Sequence, residues 1–313
     1  MDWELVQKIR GLYFSGKAQI DNYWQSQEVL EAYHETLAQR ILWKWQEVFR
    51  LLKREGLDRY FTEVESVLDW GCGTGVAVES LLEVLPSRNS LSQVFLYDRS
   101  PISMAFARNR LKAKHESVGF VDGKSPAAMS LVSHVLSEMN PSQIKTCLSD
   151  IAGSQVILWL EPGTKDCSQK LSMVRQQLMA QYRVLAPCTH QRTCPFSLGD
   201  DDWCHFFAEP PSFIFQSSYW REFSDRLNID LHTLPLSFLF MIKKEMETAV
   251  QLDEEDGIRC IGPIRKHKAY SEVVGCDAEG LCNIRFLKSR HKAKLKQMKK
   301  DSFALLTESS VKS

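Results

Sequence analysis

Ser66-Val67-Leu68-Asp69-Trp70-Gly71-Cys72-Gly73-Thr74-Gly75 is the stretch on which the fold turns. An apolar run gives way to three glycines spaced two apart. A helical pattern of Val78, Leu81, Leu82 and Leu85 follows until Pro86 stops it. That order reads as a buried strand, a tight turn and a helix whose free N–H groups face whatever lies above the turn. Glycine admits positive φ and lets a ligand approach the backbone closely. About twenty residues further on, Val94-Phe95-Leu96-Tyr97 reads as a second strand that ends in Asp98. An acid at that tip accepts both hydroxyls of a ribose.

The spacing separates one cofactor class from another. A phosphate-gripping P-loop ends in Gly-Lys-Ser/Thr, whereas this loop ends Gly73-Thr74-Gly75-Val76 and offers no lysine. A dinucleotide fingerprint reads G-x-G-x-x-G; here the pattern is G-x-G-x-G with Asp69 just ahead. This resembles the first motif of class I S-adenosylmethionine-dependent methyltransferases. The resemblance implies that Gly71, Gly73 and Gly75 lie against the methionine part of the cofactor and that Asp98 holds its ribose. The competing reading is a nucleotide-type α/β domain whose glycines serve only helix packing.

Outward from this centre, the chain has the composition of an ordinary soluble globular protein, 44% hydrophobic and 25% charged. No apolar run approaches the roughly 20 residues of a membrane helix. Met1-Asp2-Trp3-Glu4-Leu5 has neither a basic n-region nor an h-region, which argues against secretion, and it lacks the character of a transit peptide. Residues 1–62 read as a helical N-terminal cap: Leu30, Tyr33, Leu37, Ile41, Trp45, Val48 and Leu51 recur at helical spacing. Its aromatics Tyr23, Trp24, Trp43 and Trp45 are expected to pack in a core. Residues 63–250 alternate strand and helix, with strands expected at Val64–Asp69, Gln93–Asp98, Val118–Val121, Ala128–His134, Gln155–Leu160 and Leu236–Ile242. This implies an α/β, doubly wound, Rossmann-like parallel sheet with ligands at the carboxyl ends of its strands. Asp69, Asp98, Ser133-His134 and Glu161 fall at those ends. Asp122, after the third strand, is a candidate for the adenine amino group, with a solvated loop acid as the alternative. Ser133 completes the candidate cofactor set. His134 stands where a methyl acceptor would approach, although a lone histidine there is more often structural. The Asn/Asp-Pro-Pro-aromatic signature of many amino-methylating enzymes is replaced by Ser133-His134-Val135-Leu136. No residue is assigned as general base.

Nine cysteines in an unsecreted chain point to metal ligation rather than a disulfide framework. Cys188, Cys194 and Cys204 fall within one turn-rich insertion, 186–206, which suits a loop wrapped around a metal. The fourth ligand is open among His190, His205, Cys260, Cys276 and Cys282. Zinc with a histidine, and plain buried thiols, are the alternatives to an all-sulfur centre. Cys72, Cys147 and Cys167 read as packing residues. The net charge is zero, from 39 basic and 39 acidic residues, but it is unevenly placed. Asp253-Glu254-Glu255-Asp256 is an acidic knot, and from Arg285 to Lys300 every charge is basic. With Arg265, Lys266 and Lys268, that stretch reads as a phosphate-binding stripe whose affinity falls with salt. A solvated face is the alternative.

Leu160-Glu161-Pro162-Gly163-Thr164, Ala186-Pro187-Cys188-Thr189-His190, Thr193-Cys194-Pro195, Asp202-Trp203-Cys204-His205-Phe206 and the later Pro263-Ile264-Arg265-Lys266-His267-Lys268-Ala269-Tyr270 with Cys276 resemble one family. It comprises the mitochondrial small-ribosomal-subunit-associated methyltransferase-like protein and its bacterial relatives. The resemblance implies a class I methyltransferase fold and a [4Fe-4S] cluster on Cys188, Cys194, Cys204 and Cys276. It also implies action on the small ribosomal subunit through its RNA, and a mitochondrial matrix address in place of a cytoplasmic one. Thr189 stands where the family usually has Pro, and Tyr270 where it usually has His. A basic β-hairpin and metal-cluster extension is then expected over 251–313. Two other functions remain open: a non-catalytic assembly factor that keeps the cofactor pocket, and a small-molecule methyltransferase.

Overall fold

A computed structural model describes residues 1–14, 24, 26–86, 90–198, 202–249, 257–298, 301 and 303–307. Tyr23, the acidic knot at 253–256, Lys299 and Lys300 lie outside the described residues. The helices are α1 (Trp3–Phe14), α2 (Gln27–Glu35), α3 (Leu37–Arg54), α4 (Val76–Val84), α5 (Pro101–Lys112), α6 (Pro141–Ile151), α7 (Lys165–Leu178), α8 (Ser218–Leu227) and α9 (Lys292–Met298). The strands are β1 (Ser66–Trp70), β2 (Gln93–Tyr97), β3 (Gly119–Asp122), β4 (Met129–Ser133), β5 (Val156–Pro162) and β6 (Tyr182–Ala186). They continue with β7 (Phe206–Ala208), β8 (Leu234–Lys243), β9 (Gly257–Lys266), β10 (Tyr270–Asp277), β11 (Gly280–Leu287) and β12 (Leu305–Thr307). The chain forms two compact units, residues 1–160 with 208–234, and residues 161–207 with 235–313. None of the described helices is long and apolar enough to cross a membrane.

The first unit opens with α1, α2 and α3. Ser26 caps α2 by accepting the Val29 N–H, and the helical run then breaks at Thr36, where φ is −124° and ψ −91°. The Thr36 hydroxyl donates back to the Ala32 carbonyl, a local bond that competes with the helix ladder. Trp24, Trp43 and Trp45 are all buried; Trp43 packs on Trp220 of α8 with ring centroids 4.9 Å apart. The strands stand in the order β3-β2-β1-β4-β5, and every pairing among them is parallel. Right-handed crossovers put helices on both faces of such a sheet. The order reverses between β1 and β4, and that reversal opens a crevice at the carboxyl ends. This is the class I methyltransferase type of Rossmann-like α/β fold.

The second unit differs from the all-parallel expectation. β6 runs antiparallel to β8, with a register shift between Val184 and Ala186, and β7 also pairs with β8. The sequence reading passed over β6 and β7. In β6, buried Tyr182, Val184 and Ala186 alternate with half-buried Arg183 and Leu185, a period-two signal too short to stand out beside α7. In place of a single hairpin, the C-terminal region forms a four-stranded sheet in the order β11-β10-β9-β12. Its inner face carries Ile258, Cys260, Val273, Ile284 and Phe286, on which Leu295 and Met298 of α9 pack. A bulge between Glu272 and Val274 faces Gly262-Pro263-Ile264, where Gly262 has φ +66°. Proline cannot donate to the ladder, so an irregularity is where it is tolerated.

Candidate functional site

The first unit has a cavity of about 210 Å³ above the glycine turn, lined by residues that follow β1, β2 and β4. The turn is fixed from beneath. Gly71 and Cys72 donate their N–H groups to the Tyr97 carbonyl at 2.7 and 2.9 Å, and Gly75 donates to Cys72 at 2.7 Å. Gly71, Gly73 and Gly75 have φ of +77°, +51° and +79°, so each occupies backbone space that glycine fills without strain. A Cβ at Gly71 would stand 2.5 Å from Val135 Cγ1, whereas one at Gly73 would meet nothing within 4 Å. Gly71 and Gly73 line the cavity; Gly75 instead caps α4 and abuts Leu111 and Ala107.

Asp98 is the polar anchor of this cavity. Its Oδ2 accepts the Gly73 N–H at 3.1 Å and its Oδ1 the Ser100 N–H at 2.9 Å. Burial raises its pKa, and those two N–H groups oppose the rise. The carboxylate is thus held to the turn on the wall of the cavity. Ser133 also lines the cavity and accepts the Trp45 Nε1–H at 2.9 Å. His134 follows with φ +53°; its N–H donates to Leu160 at 2.8 Å. Burial, then the Lys44 charge, holds its pKa well below the ordinary value, so the ring is neutral.

Two other candidates lie off the cavity wall. Asp69 is completely buried beneath the turn, and neither carboxylate oxygen has a hydrogen-bond partner among the described residues. Burial first, and the Asp98 charge second, push it up to about 8. Asp122, on the edge strand β3, pairs with Arg108 of α5. Sequence reasoning missed the far wall, where Gln143 and Thr146 of α6 line the cavity and Arg99 pairs with Glu138 at 3.1 Å.

The second unit brings Cys188, Cys194, Cys204 and Cys276 to the wall of one small cavity, with Phe196 and Phe206 among its apolar lining. Cys260 and Cys282 belong instead to the inner face of the C-terminal sheet. His190 also lines the cavity, and its Nδ1 accepts the Arg192 N–H at 3.1 Å. His205 stacks on Trp203 with centroids 4.8 Å apart. Among the described residues no disulfide joins any of the nine cysteines. Likewise no group of three or more His, Cys, Asp or Glu among them is set to hold a metal ion.

Each cysteine segment is held by its backbone. Arg175, 1% exposed on α7, donates to the Arg192 and His190 carbonyls, both at 2.8 Å. Ser168 and Ser237 both donate to the Cys204 carbonyl at 2.7 Å. Thr189 donates to the Cys276 carbonyl at 3.1 Å, and Arg259 to that of Pro187 at 3.2 Å. Burial raises the pKa of Cys188, with Arg175 opposing, and pushes Cys276 up to about 12. Cys204 rises well above the ordinary thiol value through burial, then through Cys188, Cys194 and Cys276. Clustered buried thiols of this kind ionise when a cation takes the proton's place. The sequence reading missed Arg175, Ser168 and Ser172, the last donating its hydroxyl to the Cys194 sulfur at 3.3 Å, although all three share the face of α7 that carries Leu171 and Leu178.

Of the expected basic stripe, several members are already engaged within the second unit. Arg265 pairs with Asp202, Arg285 with Glu272 at 3.0 Å, and Lys288 bonds the His267 carbonyl. Lys266, Lys268, Arg290, Lys292 and Lys296 are exposed.

Strand order, glycine turn and the acid at the tip of β2 define a domain of the class I methyltransferase type. The family model described as mitochondrial small ribosomal subunit Rsm22 matches residues 38–218, and the chain belongs to that family. No curated protein matches the chain. Among solved structures, PH1948 from Pyrococcus horikoshii is 12% identical, covering 64% of this chain and 84% of its own, with a TM-score of 0.41. The methyltransferase domain of bacterial CtHen1 is 13% identical, covering 65% of this chain and 98% of its own, with a TM-score of 0.39.

Proposed function

We propose that the protein binds S-adenosylmethionine above the glycine turn and directs its methyl group to RNA of the small ribosomal subunit, in the mitochondrial matrix. The observation that carries the cofactor reading is Asp98: one carboxylate lines the cavity and is locked to the turn through Gly73 and Ser100. The open space beyond Gly73 leaves a ligand room against the backbone. When bound, the cofactor supplies an electrophilic methyl on a sulfonium. The chain's share is orientation: Asp98 accepts from the ribose, the turn approaches the methionine part, and the neutral His134 faces the acceptor side. Positioning of this kind contributes much of the barrier reduction in a displacement. The family description supports the small ribosomal subunit as the destination, and the exposed lysines of the C-terminal region support RNA as the target there.

We further propose a [4Fe-4S] cluster in the second unit, a reading supported by four cysteines lining one cavity whose other walls are largely apolar. Cys188, Cys194, Cys204 and Cys276 would hold it, and when bound it supplies a rigid cross-link between the cysteine loop and β10. All-thiolate ligation suits zinc as well. Anaerobically purified protein is expected to be brown, with a broad violet-region absorbance and iron and sulfide in equal amounts; colourless protein with stoichiometric zinc would exclude the cluster. Tritiated methyl transfer to purified small ribosomal subunits tests the activity. Cofactor and RNA binding with no transfer would leave the non-catalytic assembly factor, and transfer to small molecules alone would remove the RNA target.

A further inference from the structure

We propose that His267, Tyr270 and Arg285 form a stacking platform for an unpaired nucleobase of single-stranded RNA, an inference that rests on the RNA-directed reading above. The His267 and Tyr270 rings are stacked, with centroids 4.4 Å apart and planes within 17°. The Arg285 guanidinium lies 5.2 Å from the Tyr270 centroid. Three planar groups, from the turn after β9, the first residue of β10 and the adjoining β11, thus gather at one end of the C-terminal sheet. His267 and Arg285 are exposed and Tyr270 is half-buried.

The platform is built before any ligand arrives. His267 donates its N–H to the Tyr270 carbonyl at 2.9 Å, and Lys288 donates its N–H to Ala269 at 3.1 Å. The Lys288 ammonium reaches across to the His267 carbonyl, so β11 pins the turn that carries the imidazole. Glu272 takes the Arg285 charge at 3.0 Å, which leaves that guanidinium as a flat surface more than as a phosphate ligand. Backbone charge is met by its neighbours, the exposed Lys266, Lys268 and Arg290. Aromatic and guanidinium planes beside free cations are how single strands are held without reading sequence. A duplex keeps its bases inside its own stack and offers none to such a surface. An acidic peptide would use the lysines but has no need of the column.

The test uses the full chain, purified anaerobically, in fluorescence anisotropy across a salt series. Its probes are a labelled adenosine oligoribonucleotide, an abasic oligomer of equal length and charge, and a polyglutamate peptide. Tyr270→Ala and His267→Ala are expected to weaken the adenosine oligomer about 5- to 150-fold, the equivalent of one lost base stack. They should leave both abasic binding and the salt slope unchanged, and Tyr270→Phe should retain affinity. Lys268→Ala should instead lower the slope by about 0.7 for both oligomers. His267 lies exposed in the turn, so its variant stays informative if Tyr270→Ala misfolds. Equal losses for abasic and base-bearing oligomers, or unchanged binding by both variants, would overturn the platform while leaving RNA binding intact. Preference for polyglutamate, or no binding of either oligomer by the parent protein, would overturn both readings.

Discussion

Gly71 and Gly73 share a turn and a positive φ, yet substitution should separate them. At Gly71 a methyl group would run into Val135 Cγ1 at 2.5 Å, so Gly71→Ala adds a clash to a left-handed backbone cost of about 1–2 kcal/mol. Its thermal midpoint should fall clearly. At Gly73 the added methyl meets open space, so only the backbone cost applies, while the methyl takes room from the cavity. Gly73→Ala should keep its fold and bind S-adenosylmethionine at least about tenfold more weakly by calorimetry, a loss of ~1.4 kcal/mol. Asp69 makes a second prediction, one of pH. Its folded pKa, up to about 8, lies above the ordinary 3.8, so between those values the folded state holds a proton that the unfolded state has released. Stability is therefore complete below about pH 4 and is lost as pH rises through about 8, at a limiting ~1.4 kcal/mol per pH unit. Asp69→Asn should flatten that slope and raise the midpoint at pH 8 more than at pH 5 in parallel thermal melts. The acid at position 69 was legible as part of a motif. Its place off the cavity wall was not, because the motif does not say on which side of the turn the carboxylate lies.

Elements were readable where several local rules agreed. Around β1, α4 and β2, apolar runs, glycines and a terminal acid all gave one answer, and the expected strand ends lie within two residues of those observed. Where a side chain meets a partner on another element, the reading was silent. Asp122 sits at the right strand end, but Arg108 of α5 takes it, and no spacing rule announces that pairing. The C-terminal sheet was taken for a hairpin because β12 has only three residues and is separated from β9, which it pairs with, by two strands and a helix. Helix α7 held a signal that went unused. Ser168, Leu171, Ser172, Arg175 and Leu178 recur on one face, and an arginine on a face that is otherwise small or apolar is a buried arginine with work to do. Its work is to hold the His190 and Arg192 carbonyls. Arg175→Leu keeps most of the bulk but orphans both, at ~1–3 kcal/mol each, and loosens the loop between Cys188 and Cys194. Urea midpoints and metal content per chain should both drop, with Arg175→Lys falling in between; full metal content in Arg175→Leu would show that the clamp is dispensable.

On the scale of the molecule, the two candidate sites lie in different compact units, and they should respond differently to loss of the proposed metal centre. Within the second unit, the cysteine loop meets the C-terminal sheet through the Thr189 bond to the Cys276 carbonyl, the Arg259 bond to the Pro187 carbonyl and the Arg192–Glu279 pair, the last exposed on both sides. An exposed pair of this kind contributes at most about 1 kcal/mol. A metal centre bridging Cys276 to the loop cysteines would add a further tie between the loop and the sheet that carries the basic residues, because ligation free energy becomes folding free energy. The glycine turn has no such dependence: Asp98, Gly73 and Ser100 hold one another through bonds made wholly within the first unit. Chelation, or Cys276→Ser, is accordingly expected to weaken RNA binding and lower the unfolding midpoint while leaving S-adenosylmethionine affinity within about twofold, a change under ~0.5 kcal/mol. Calorimetry with the cofactor and anisotropy with RNA, run on the same metal-free sample, read the two effects separately. Loss of cofactor binding in step with RNA binding would mean that the metal supports the whole chain, and unchanged RNA binding would mean that the sheet keeps its shape without it.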